Sequence, residues 1–176
     1  MAWRGAAAVG APDAGMTLLS GAETPRQVLL AALGMEAALG GFYQKLADSA
    51  EDAETAATFS RLAGFEERHL RHVHSLYEKE TGQPADLEAL VARAGPELEG
   101  GLPAAEFLKM LGGEPASARE ALELAASVEA QALDLYARLA AQTGDKAAKT
   151  LYETLSLEEK AHLKAVANLL ARLPEA

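Results

Sequence analysis

Apolar residues recur at intervals of three and four along four long stretches of this chain, the spacing that gathers them on one face of an α-helix. The first stripe reads Leu29, Ala32, Glu36, Leu39, Tyr43, Leu46, and the second Leu62, Glu66, His69, Val73, Leu76. The third reads Leu122, Ala125, Glu129, Ala132, Tyr136, Leu139, and the fourth Leu155, Glu159, His162, Val166, Leu169. Each stripe is apolar except where a glutamate, histidine or tyrosine interrupts it, and the interruptions recur from one stripe to another.

Local start and stop signals bound these stretches. Thr24-Pro25-Arg26-Gln27 offers a cap, a proline suited to the first helical position and a glutamine that closes a capping box, so a helix is predicted from there to about Asp48. A second is predicted from near Ser49 to Asp52 as far as Thr81, ahead of Gly82 and Pro84. A third opens at the capping box Ser117-x-x-Glu120 and ends near Gly144, and a fourth runs from Asp145 to about Leu173, ahead of Pro174. Helices one and two, and three and four, are joined by only a few residues, which forces each pair into an antiparallel hairpin. Residues 82–116, rich in proline and glycine, are too long for a tight turn and are expected to form a crossover carrying short helices at about Asp86 to Arg93 and Ala104 to Leu111. Residues 1–23 are expected to be a loose arm and residues 24–173 one all-α domain, a four-helix bundle of two hairpins.

The hairpins are copies. A shift of 93 residues carries Glu36 onto Glu129, Tyr43 onto Tyr136, Glu66 onto Glu159 and His69 onto His162, which suggests two halves related by a pseudo-twofold axis. The glutamates of one hairpin also lie at the same height, each about a dozen residues from the turn, or ~20 Å at ~1.5 Å per residue. Four carboxylates and two imidazoles are therefore expected on one level of the core.

Four ionised carboxylates could not stay together in an apolar interior, because burial penalises each charge and like charges repel. Two divalent cations would balance them, with neutral imidazoles completing the shell. One glutamate from each of two helices plus Glu-x-x-His from each of the other two is the known ligand pattern of di-iron and di-manganese carboxylate bundles. The candidate ligands are Glu36, Glu66, His69, Glu129, Glu159 and His162. Glu66 and Glu159 are the expected bridges, with Glu36 and His69 on one side and Glu129 and His162 on the other. Oxygen and imidazole donors suit iron or manganese, zinc being compatible, and two iron ions are the expected cofactor. Tyr43 and Tyr136, also duplicated, are candidates to bond a ligand carboxylate from behind or to take a redox part. His72 and His74, which have only alanines as counterparts, are expected at the surface, and Glu67 and Glu158 are expected to point off the stripe into solvent.

Composition narrows the chemistry. Absence of cysteine removes disulfides, thiolate zinc sites and iron–sulfur or rubredoxin-type centres. A formal net charge of −10 opposes nucleic-acid binding. No apolar run reaches the ~20 residues that span a bilayer, and Gly10 and Pro12 interrupt the alanine-rich opening, so a cytoplasmic protein without a secretory signal is expected.

In the segments MEAALGGFYQKLA, FEERHL, VEAQALDLYARLA and LEEKAHL the chain resembles the rubrerythrin-like branch of the ferritin-like di-iron superfamily, over about residues 24–172. The resemblance implies a ferritin-like bundle, a di-iron centre held by the same six residues, and redox chemistry on hydrogen peroxide or dioxygen. It also implies a homodimer, since ferritin-like bundles commonly pair. Two departures qualify it. Full-length rubrerythrins carry a cysteine-ligated electron-donating domain, so electrons here must come from an external donor. They also carry a further glutamate one turn after the first on helix three, where this chain has Ala132, which brings the centre closer to the symmetric ferroxidase type. Iron binding, ferroxidation or iron sensing without an organic substrate is the alternative function.

Overall fold

A computed structural model describes residues 22–51, 53–95 and 117–173. Its helices are α1 (Pro25–Ser49), α2 (Ala53–Thr81), α3 (Leu87–Ala94), α4 (Ala118–Gln142) and α5 (Lys146–Leu170), and no strand occurs among the described residues. The architecture is all-α: α1 pairs with α2, α4 with α5, and the two hairpins meet through α2 against α4 and α1 against α5.

Capping explains most of the boundaries. Thr24 accepts from the backbone N–H of Gln27, whose side chain accepts in return from the Thr24 N–H. Asp86, Ser117 and Asp145 each accept from the N–H three residues on, starting α3, α4 and α5. The fourth long helix is shorter than the stop signal at Pro174 predicts. It ends at Leu170 because the backbone tightens there, Arg172 and Leu173 donating to the carbonyls of Leu169 and Leu170 three residues back. Within the crossover, α3 fulfils the first expected short helix, displaced by one residue; the second, Ala104 to Leu111, lies outside the described residues, as does most of the N-terminal arm. The arm's last residues are held, since the Tyr152 hydroxyl donates to Glu23 at 3.1 Å.

Helix α3 lies on α1 at Gly34. A Cβ there would stand 2.6 Å from that of Ala94, so only glycine admits this close approach.

Two apolar clusters fill the bundle. One contains Leu39, Phe42, Tyr43, Leu46, Phe59, Leu62, Leu122 and Val166; the other contains Leu29, Leu33, Met35, Val73, Leu135, Tyr136, Tyr152 and Leu155. The first joins the closed end of one hairpin to the open end of the other, as a pseudo-twofold relation between hairpins requires. Between the clusters lies a single polar layer.

Candidate metal centre

Glu36 is the twelfth residue of α1 and Glu129 the twelfth of α4, so the repeat places both at mid-helix, where neither helix end can solvate them. Glu66 and His69 project from α2, and Glu159 and His162 from α5, each pair three residues apart and so on one face. Glu36, Glu66, Glu129 and Glu159 are each 1% exposed and His69 is 5% exposed, while the His162 side chain retains 19%. All six residues predicted as ligands thus come together in one layer.

The pairing within it follows the hairpins. His69 Nδ1 stands 2.8 Å from Glu36 Oε2, and His162 Nδ1 stands 3.3 Å from Glu129 Oε2. Glu159 lies between these pairs: its Oε1 is 3.9 Å from His69 Nδ1 and its Oε2 is 3.9 Å from His162 Nδ1. The two imidazole rings are 4.5 Å apart, nearly edge to face. Three sets of donor atoms could each hold a cation: Glu36, His69 and Glu159; Glu129, Glu159 and His162; and Glu66, His69 and His162, the donors within each set lying within 4.8 Å of one another. Glu159 enters two of these sets, one with each histidine, and Glu66 enters one that contains both histidines.

A cation fits this layer on chemical grounds. Glu36 Oε2 and His69 Nδ1 approach to 2.8 Å, and Glu129 Oε2 and His162 Nδ1 to 3.3 Å, so a positive charge, a proton or a cation, is needed to hold each pair together out of water. Buried carboxylate oxygens and imidazole nitrogens gathered within reach of common points are the donor set that suits a divalent metal. Without a cation, a proton must partly replace it. Burial by itself lowers the pKa of His69, but its hydrogen bond to Glu158 and the adjoining Glu36 carboxylate outweigh burial and push it up to about 10.

Glu158 corrects a sequence expectation. Rather than turning to solvent, its side chain is only 24% exposed; its Oε2 lies 2.6 Å from His69 Nε2 and its Oε1 lies 2.8 Å from His72 Nε2. This bond across helices frees Nδ1 of His69 to face the carboxylates, and fixing the outer nitrogen of a ligating imidazole in this way sets its tautomer and orientation. A signal was present in the repeat: the counterpart of Glu158 is Phe65, a partly buried apolar residue, so the position faces inward in one half. His72 is at the surface as expected, half exposed. His74 is not: its Nε2 donates to the Ala85 carbonyl at 2.8 Å, securing the segment between α2 and α3. Glu67 is exposed, paired with Arg71 one turn on. Tyr43 and Tyr136 are fully buried, one in each apolar cluster, and Tyr43 packs between Phe42 and Phe59.

No helix among the described residues is long and apolar enough to cross a membrane. Comparisons with curated proteins and with solved structures return no match. The model of the rubrerythrin family, by contrast, matches residues 27–170, which run from the third residue of α1 to the end of α5 and take in every one of the six converging side chains. With most of its length matched and buried Glu/His groups able to hold metal, the chain belongs to the rubrerythrin family.

Proposed function

We propose that this protein is a di-iron oxidoreductase that reduces hydrogen peroxide or dioxygen with electrons from an external donor. The observation that carries the reading is the position of Glu159, whose two oxygens face two different imidazoles at equal distance, as a carboxylate shared by two ions does. Glu36 and His69 would hold one ion, Glu129 and His162 the other, and Glu66 and Glu159 would span them.

Bound iron would supply the electrons and the Lewis acidity for cleaving an O–O bond. The chain supplies the rest. Four carboxylates match the charge of two divalent ions, so the loaded layer is neutral within the apolar core. Apolar clusters close the layer above and below, so that solvent approaches the reacting atoms only between the helices at its sides. Glu158 holds His69 in place from outside.

Rapid mixing of the di-ferrous protein with peroxide tests this reading. Oxidation at least about a hundredfold faster than in a Glu66→Ala, Glu159→Ala double variant is expected, by analogy with the rate factors that positioned catalytic groups contribute. Equal rates would remove the enzymatic reading.

A second reading, ferroxidation or iron handling without another substrate, is supported by Ala132, buried where a seventh ligand would otherwise stand. Rapid oxidation by dioxygen coupled to turnover of added ferrous iron, with little turnover of peroxide, would favour it.

A further inference from the structure

A cleft of about 440 Å³ opens between α1 and α2 and runs inward to Glu36 and Glu66. Its walls are made by absent side chains. Gly40, Gly41 and Gly64 line it, with Gln44 on the outer turn of α1, and no lysine or arginine contributes to it. A Cβ at Gly41 would meet nothing within 4 Å, so that position looks onto open space, whereas a Cβ at Gly40 would press to 3.3 Å from that of Glu66.

The other hairpin provides an internal control. Its groove uses equivalent positions, with Ala137 for Gln44, Glu153 for Ser60, Ser156 for Ala63 and Leu157 for Gly64. There, however, Leu133 and Asp134 replace Gly40 and Gly41, and neither Glu129 nor Glu159 lines the groove. The repeat gives both halves a groove, and of these two the one with the paired glycines reaches the carboxylates.

We propose that the α1/α2 cleft is the route by which divalent metal ions reach the centre, with Glu36 and Glu66 as the first carboxylates to receive them. This rests on the metal-centre reading above and adds direction to it. Glu36 is 1% exposed, yet it lines the cleft and its Oε1 makes no hydrogen bond, leaving a buried acceptor at the inner end. An anionic floor, a further carboxylate at Glu67 in the lining and the net charge of −10 draw cations inward. The volume also suffices for an ion with a shell of six waters, at roughly 30 Å³ per water.

Stopped-flow mixing of the metal-free full-length chain with cobalt(II) alone, followed by the visible absorption of the bound ion, tests the route. Gly41→Leu, which puts a good helix former where there is open space, is expected to slow uptake at least tenfold without changing the equilibrium stoichiometry. Asp134→Leu, at the equivalent position of the other hairpin, is expected to leave the rate within twofold. Gln44→Lys should slow uptake and Gln44→Glu hasten it, both effects shrinking in high salt. Equal rates in wild type and Gly41→Leu would overturn the route, and a rate lowered by Gly41→Leu but indifferent to the charge at position 44 would overturn its assignment to cations. Failure of the wild type to bind cobalt at equilibrium would instead overturn the metal centre itself.

Discussion

His69 presents its two ring nitrogens to opposite demands: Nε2 is bound at 2.6 Å by Glu158 from α5, while Nδ1 stands 2.8 Å from Glu36 of α1. One imidazole thus ties the second hairpin to the ligand set of the first. His162 has no equivalent support from α2, because the residue corresponding to Glu158 is Phe65.

That inequality predicts two metal sites of different affinity. Glu158→Ala should weaken the tighter site about 10- to 100-fold, the usual effect of losing a carboxylate behind a ligating histidine, and bring the two sites closer together. Anaerobic titration with cobalt(II), resolving two steps in the wild type and merged steps in the variant, measures it; a single shared affinity in the wild type would contradict the asymmetry.

Loading should also be pH-dependent. In the metal-free protein His69 keeps its proton up to about pH 10, above the ordinary histidine value. A metal must displace that proton, so apparent affinity rises with pH throughout the range below about 10, by up to about tenfold per unit for one proton released. Calorimetric titrations in buffers of differing ionisation enthalpy count the protons, and no release at pH 7.5 would show that His69 is already neutral.

Removing metal should cost stability. A cation held at 100 times its Kd contributes about 2.7 kcal/mol, which for a chain of this size corresponds to a fall of about 5–10 °C in Tm on chelation. Conversely, Glu129→Gln is expected to raise the Tm of the metal-free protein, by relieving repulsion among buried carboxylates, while abolishing much of the gain on adding metal. Differential scanning calorimetry of both proteins with and without cation distinguishes the two effects. A variant less stable than wild type when both are metal-free would mean that Glu129 is satisfied by the protein alone.

Two glycines of α1 should respond in opposite ways. Gly34→Val drives a side chain into Ala94 and is expected to cost about 1–3 kcal/mol through overpacking. Gly41→Ala meets open space and should stabilise by up to about 1 kcal/mol through helix propensity. Urea denaturation of the two variants checks both signs. Equal behaviour would mean that α3 does not rest on α1 at Gly34.

Much of this could be read from the linear chain because it depends on local spacing. A stripe at three- and four-residue intervals selects the buried face of a helix, capping groups start the helices within a few residues, and the 93-residue repeat places Glu36 and Glu129 at matching depth. Burying four carboxylates together calls for cations whatever the detailed geometry. The remaining features depend on how one helix is rotated and raised against another, which no single-helix period encodes. Tertiary packing decided that Glu158 crosses to His69 and that His74 reaches Ala85. It also decided that missing side chains at Gly34 and Gly40 become close approaches, one carrying α3 and the other bringing α1 against Glu66. Periodicity chooses which residues face inward; only the meeting of the helices chooses which of them touch.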